Sequence, residues 1–262
     1  MQEITSIVLV LVCVYLLIAV FLYLYQRKLI YFPVPVDPGF SADEVTVEND
    51  GVCLHGWVLN PDQPRALIYF GGNSELITHR RGFFEDVFGD YSVYLINYRG
   101  YGHSEGRPSE AALFSDALAI YDQLSHRHES ISAYGRSLGS GVAVYLAAER
   151  PLAKLILLTP YDSITEIAQR LYPFLPVRLL LKDRFDSAAR AGDIDEPVLI
   201  ASAEFDREVK LPHTLALKRK FTRAPLQYQM IAGAAHNNIV DFPDYREAVR
   251  NFVIGLGPGS RA

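Results

Sequence analysis

Ser137 stands between Gly135 and Gly139 in Gly-Arg-Ser-Leu-Gly, where the short apolar run 130–135 gives way to a helix-like segment. A residue that carries the chain from strand into helix in one step is held in a crowded backbone conformation, and neighbours without side chains relieve the crowding. Gly-x-Ser-x-Gly in that setting reads as a nucleophile elbow: the hydroxyl is pushed outward, and the amides that open the helix favour developing negative charge. Chance places this pattern in a chain of this size on the order of one time in ten, so the partners of Ser137 carry the argument. A serine hydroxyl near neutral pH needs a base within hydrogen-bond reach, and that base needs a third group to orient it. His236 follows the last apolar run, 226–231, across a small-residue turn, and Asp206 lies just past the run 197–203. Two alternatives stay open for the acid. Asp206 could cap a helix beginning near Val209, and Asp162, which follows the run 154–159, is a rival.

The negative charge that forms on an attacked carbonyl oxygen needs fixed amide donors. The elbow supplies the N–H of Leu138, and Gly71-Gly72-Asn73-Ser74, after the run 66–70, lets the backbone approach and offers the N–H of Asn73. A plain strand-to-helix turn capped by Asn73 or Ser74 is the alternative reading of that loop. His55, His79, His126, His128 and His213 read as surface or packing residues. His103 reads as part of a structural loop, because it precedes the serine in the chain.

The elements that must position these residues are legible in outline. Val45–Glu48 and Val52–Leu54 flank Asn49-Asp50-Gly51, a turn signal that predicts an antiparallel hairpin. Apolar runs at 66–70, 91–97, 130–135, 154–159, 197–203 and 226–231 then alternate with helix-period segments. Leu113, Ala117, Ile120, Tyr121 and Leu124 share one face of a helix that Ser109 starts. Continuous rather than alternating hydrophobicity marks strands buried on both faces. The expected fold class is α/β, a mostly parallel sheet with an antiparallel N-terminal hairpin and helices on both faces. Active residues in such sheets sit beyond the C-terminal ends of the strands, where Ser137, Asp206 and His236 all fall.

The chain has 262 residues and a net charge of −5. Ile4–Tyr25 carries no charge and is followed by Gln26, Arg27 and Lys28. As a helix this run is about 33 Å long at 1.5 Å per residue, enough to cross a bilayer. The flank before it lacks a basic residue and no small-x-small cleavage site follows, so an uncleaved transmembrane helix is expected rather than a signal peptide. Arg27 and Lys28 predict a cytoplasmic catalytic domain. The organisation read from the sequence is an anchor over 1–28, one catalytic domain over 29–255, and a flexible tail over 256–262; within the domain a cap-like apolar insertion over 160–192 either covers an acyl pocket or packs as an ordinary helix on the sheet. On this reading a fragment from about Pro33 keeps the acyl preference of the whole chain. Cys13 lies in the anchor and Cys53 in a strand, so the domain has no internal disulfide. The basic run at Lys218, Arg219, Lys220 and Arg223 reads as one solvated helix face rather than a nucleic-acid patch, so no nucleic-acid partner is expected. No dinucleotide fingerprint, Walker motif or metal-ligand spacing occurs, so no cofactor and no metal is implied.

The stretches "RKLIYFP", "NYRGYGHSEGRPSE", "YGRSLGSGVA", "TPYDSI", "YPFLPVRLLLKDRFDS", "PVLIASAEFDREV" and "GAAHNNI" together cover nearly the whole chain. In them the chain resembles the α/β-hydrolases, and specifically the small membrane-anchored abhydrolase-domain proteins, some of which are protein depalmitoylases. Such proteins often carry His-Gly-Asn after the third strand; here Gly71 replaces the histidine and Asn73 survives. Their common Gly-x-x-Asp turn carries Ala203 in place of glycine. The expected function is a membrane-anchored serine hydrolase that cleaves acyl esters or thioesters through Ser137, His236 and Asp206, with a membrane lipid or an acylated protein as substrate. The alternatives are a non-catalytic binding protein on the same fold, and a serine amidase or peptidase.

Overall fold

A computed structural model of the chain describes residues 1–255; the tail expected over 256–262 lies outside them. The first helix, α1 (Gln2–Ile30), is followed by the hairpin β1 (Asp43–Asn49) and β2 (Val52–Leu59), turned at Asp50 and Gly51 with φ of 52° and 70°. Next come β3 (Arg65–Phe70), α2 (Arg81–Val87), β4 (Tyr91–Ile96), α3 (Glu110–Ser125), β5 (Ser130–Arg136), α4 (Leu138–Glu149) and β6 (Leu155–Leu158). The chain then forms α5 (Ile164–Leu171), α6 (Val177–Leu180), β7 (Val198–Ala203), α7 (Leu211–Lys218), β8 (Leu226–Ile231) and α8 (Pro243–Ile254).

The eight strands form one sheet in the order β1-β2-β4-β3-β5-β6-β7-β8. Only the β1/β2 and β2/β4 pairings are antiparallel. Strands β4, β6 and β7 are buried along their whole length, as continuous apolar runs require. One core layer joins the sheet to α3 and α4 through Leu113, Ile120, Val142 and Leu146. The other joins it to α2 and α8 through Phe83, Phe84, Tyr245 and Phe252.

The close packing of α4 on β5 and β3 explains both glycines of the elbow. A Cβ at Gly139 would lie 2.0 Å from the Phe70 carbonyl oxygen, and one at Gly135 would lie 2.5 Å from that of Gly139. Any larger residue would push the helix off the strand.

Helix α1 is long and apolar enough to cross a membrane, and its apolar stretch is unburied by the rest of the chain. Its last turns nevertheless belong to the domain. The Gln26 side chain donates to the Leu180 carbonyl at 3.2 Å and accepts from the Lys182 N–H at 2.7 Å. Arg27 pairs with Asp183 at 2.9 Å, and the buried Tyr31 hydroxyl donates to the same carboxylate. A fragment beginning at Pro33 would therefore lose part of the domain itself, contrary to the tether that the sequence suggests.

A buried ion cluster holds the C-terminal ends of β3 and β5 together. Glu75 accepts from Arg136 at 3.0 Å, from the Gly72 N–H at 2.8 Å and from the Tyr69 hydroxyl at 2.8 Å, and it also pairs with Arg80. Burial opposes its charge, but Arg136, Arg80 and the Gly72 N–H outweigh that and hold the carboxyl below its ordinary range. A depressed folded-state value stabilises the fold above the ordinary carboxylate pKa, and that contribution is lost as pH falls through the folded value. Glu75→Gln leaves two guanidinium groups facing a neutral amide and should cost about 3–5 kcal/mol near neutral pH. Thermal midpoints in detergent should show a wide gap between wild type and variant that narrows below about pH 4; equal midpoints at pH 7 would contradict this account.

Candidate active site

Ser137 occupies the single residue between β5 and α4, with φ 49° and ψ −117°. A non-glycine residue held there stores about 1–3 kcal/mol of strain. The surroundings enforce it: the Ser137 N–H donates to the Leu158 carbonyl at 3.0 Å, and the Ser137 carbonyl accepts from the Ser140 N–H at 2.9 Å. The serine is partly exposed and lines a cavity of about 300 Å³.

His236 lies on the turn after β8, with its side chain 4% exposed. Its Nδ1 is 2.8 Å from Asp206 Oδ2. An ionised carboxylate can only accept, so Nδ1 carries the proton and Nε2 is left as the basic nitrogen. The other oxygen of Asp206 accepts from the N–H groups of Glu208 and Val209, at 3.0 and 2.8 Å. Asp206 thus orients the imidazole and closes its own turn at once, while helix α7 begins later, at Leu211. Asp162 is committed elsewhere. Its Oδ1 is 2.8 Å from His213 Nδ1, a buried pair that ties α7 to the loop after β6. The structure therefore brings His236 to Asp206 and not to Asp162.

His236 Nε2 lies 3.4 Å from Glu208 Oε2, and no hydrogen bond joins it to Ser137 Oγ among the described residues. Glu208 is itself held by the Asn237 side chain at 2.8 Å, and it lines both the Ser137 cavity and the neighbouring depression that contains His236. Its spacing in the sequence does not distinguish it from any other solvated acid.

Asn73 and Leu138 line the cavity beside Ser137. As the first residue of α4, Leu138 has an N–H without an intrahelical acceptor. Asn73 is not a helix cap. Its side chain donates to the Ile30 carbonyl at 3.2 Å, and its carbonyl accepts from the Tyr101 hydroxyl at 2.7 Å. Gly139 N–H donates to the Gly71 carbonyl at 3.1 Å, which joins this loop to the elbow. Arg136, the residue before the serine, contacts Glu75 on one side and Asn237 on the other, the latter at 2.6 Å. Sequence reasoning singled out neither Arg136 nor Glu75. An arginine inside the elbow and an acid three residues beyond Gly72 were the available signals. His103 is exposed and lies near His55, away from the cavity lining.

Apart from Gln26, the rest of the cavity is mainly apolar. Helix α1 contributes Leu22, Tyr23, Leu29 and Ile30, and the segment between β6 and β7 contributes Ile164, Ile167, Leu171, Leu175, Val177 and Leu180. Helix α5 has no fully buried residue; Ile164 and Ile167, which line the cavity, also pack against the margin of the core. Among the described residues no group of three or more His, Cys, Asp or Glu side chains could hold a metal ion.

Comparison with known proteins agrees with this architecture. A family model described as the alpha/beta hydrolase fold matches residues 52–190. An uncharacterized protein of Mycobacterium tuberculosis is 35% identical over 254 residues, 90% of each chain. The alpha/beta hydrolase domain-containing protein WAV2 of Arabidopsis thaliana is 30% identical over 75% of each chain, and the protein bem46 of Schizosaccharomyces pombe is 28% identical over 262 residues. Among solved structures, an esterase of Pyrococcus furiosus superposes with a TM-score of 0.69 at 17% identity, over 87% of this chain and 98% of its own. Est1E of Butyrivibrio proteoclasticus, solved with ferulic acid bound, gives 0.67 at 19% identity, over 80% and 98%. By its matched family model, its full-length relatives and its sheet order, this chain belongs to the alpha/beta hydrolase fold family.

Proposed function

We propose that the protein is a bilayer-anchored serine hydrolase that cleaves carboxylic esters or thioesters of acyl, lipid-like substrates. The observation that carries this reading is the strained Ser137, opening on an apolar cavity, at the same C-terminal end of the parallel strands as a buried Asp206–His236 pair.

In this mechanism Ser137 Oγ attacks the carbonyl carbon while His236 Nε2, turned from Glu208 towards the serine, takes the hydroxyl proton. Asp206 holds the tautomer that makes Nε2 the acceptor and stabilises the imidazolium. The N–H groups of Leu138 and Asn73 receive the oxyanion. His236 then returns the proton to the leaving alcohol or thiol, which leaves Ser137 acylated. A water molecule that gives its proton to His236 hydrolyses the acyl-enzyme and frees the acid. Membrane anchoring by α1 is supported by its uncharged length and by the contacts of Gln26, Arg27 and Tyr31, which a cleaved leader would remove from the domain.

Ser137→Ala should abolish ester turnover, by a factor approaching about 10⁶ in kcat, while the variant stays folded. Asp206→Asn should lower kcat by about 10⁴ through the wrong imidazole tautomer, and Asp162→Asn should change it far less. Reversed effects of the two asparagine variants would move the acid to the earlier strand. For full-length protein in detergent, kcat/KM should rise from acetyl to octanoyl esters below their aggregation limits. Each methylene that enters the cavity is worth up to about 0.8 kcal/mol, or nearly fourfold. A preference for acetyl would rule out the apolar cavity as the acyl site.

A further inference from the structure

The segment between β6 and β7 exposes three large apolar side chains within ten residues: Leu171 at 63%, Phe174 at 57% and Leu179 at 83%. None of them packs on the core, and neither Phe174 nor Leu179 lines the Ser137 cavity. In water such a cluster has no stabilising partner. Its position beside α1 supplies one. The Tyr15 hydroxyl donates to the Phe174 carbonyl at 3.1 Å, whereas Gln26 meets Leu180 and Lys182, and Arg27 meets Asp183. From Tyr15 to Gln26 the helix rises about 16 Å, close to the thickness of one hydrocarbon leaflet at about 15 Å. Helical side chains lean towards the N-terminus, so Tyr15 reaches away from the domain and not back towards it. The stretch from Leu180 to Phe174 therefore runs down the outside of α1 alongside its uncharged residues.

Much of the backbone polar surface at the tip is satisfied internally; the Phe174 N–H is an exception, with no partner among the described residues. Pro173 and Pro176 have no N–H to satisfy. The Phe174 carbonyl is taken by Tyr15, and the Tyr172 and Leu175 carbonyls by the Gln169 side chain at 3.5 and 3.1 Å. Leu175 N–H bonds to the Tyr172 carbonyl and Val177 N–H to that of Leu175, at 3.0 and 2.9 Å. Backbone polar groups in a bilayer must find such internal partners. Lys182, at the domain end of the segment, sits 4.2 Å over the Tyr23 ring, and the exposed Arg178 pairs with Glu166 near the start of α5. Arg170, on the exposed side of α5, has a stem long enough to carry its charge back to the headgroups.

We infer that the α5–α6 hairpin is immersed in the acyl layer of the leaflet that α1 enters, so that the Ser137 cavity, walled by α1 and this hairpin, opens sideways into that layer and takes its acyl chain directly from the bilayer. Immersion stands on the contacts above alone; the loading route rests also on the hydrolase reading. The acyl chain then stays in an apolar medium from leaflet to cavity, and only its ester head approaches the polar catalytic end.

The test uses full-length protein in phosphatidylcholine vesicles, with Phe174→Trp or Leu179→Trp as reporter. The chain's single native tryptophan, Trp57, is buried in the sheet and serves as the unquenched reference. Lipids brominated on the acyl chain should quench the added Trp emission by at least half and leave native emission unchanged, and Ser137→Ala in the same background should give the same quenching. Quenching by aqueous iodide instead of by bromolipid would overturn immersion whatever the enzyme does. For loading, Phe174→Arg with Leu179→Arg should lower turnover of a vesicle-embedded long-chain ester at least tenfold, while butyrate ester turnover in micelles stays within twofold. An undiminished rate on the embedded ester would overturn the sideways route even where quenching holds.

Discussion

One buried ion pair, Arg136 with Glu75, fixes how the three loops of the candidate site meet. Arg136 precedes the serine, Glu75 closes the loop that carries Asn73, and the far side of the same guanidinium reaches Asn237 beside His236. A buried carboxylate is costly unless it is paired and its lone pairs are filled, and Glu75 is bonded by Arg136, Arg80, Tyr69 and the Gly72 amide. The geometry that satisfies Glu75 is the geometry that sets the Asn73 loop against the elbow. A shift of any one loop leaves charge unpaired in the core, so the site is rigid where the reaction needs fixed dipoles.

The strain at Ser137 depends on the same frame. Its left-handed backbone persists because the Gly139 amide is held by Gly71 and the Ser137 amide by Leu158, and because glycines at 135 and 139 let α4 lie against β3. Local strain is thereby offset by sheet and helix packing on both sides. The opposite end of the site is built differently. Its walls come from α1 and the α5–α6 segment, outside the sheet.

Much of this was legible from residue types and spacing. The alternation of buried runs with helical periods gave the parallel sheet, because strands buried on both faces leave no other pattern. Chain order and position after strands led to Ser137, Asp206 and His236, and the structure joins the latter two. What the sequence did not reveal is long-range and charge-based. Glu75 and Arg136 are 61 residues apart, and neither stands out until the fold makes them neighbours. Glu208 looks like a solvated acid until it is found against His236 Nε2. The insertion was ambiguous because apolar periodicity cannot distinguish a helix that lines a cavity from one that packs on a sheet. Helix α1 read as a tether because its contacts through Gln26, Arg27 and Tyr31 involve residues more than 150 positions away.

The central claim is that Ser137 is an activated nucleophile at the mouth of an acyl cavity. Mass spectrometry of the full-length protein after reaction with an alkyl fluorophosphonate tests it most directly, because the reagent phosphonylates an activated serine and reports its position. The account predicts one adduct per chain, on the peptide containing Ser137, and its absence after Asp206→Asn within the time that saturates wild type. Labelling of a different residue, or no labelling of the folded wild-type chain, would contradict it.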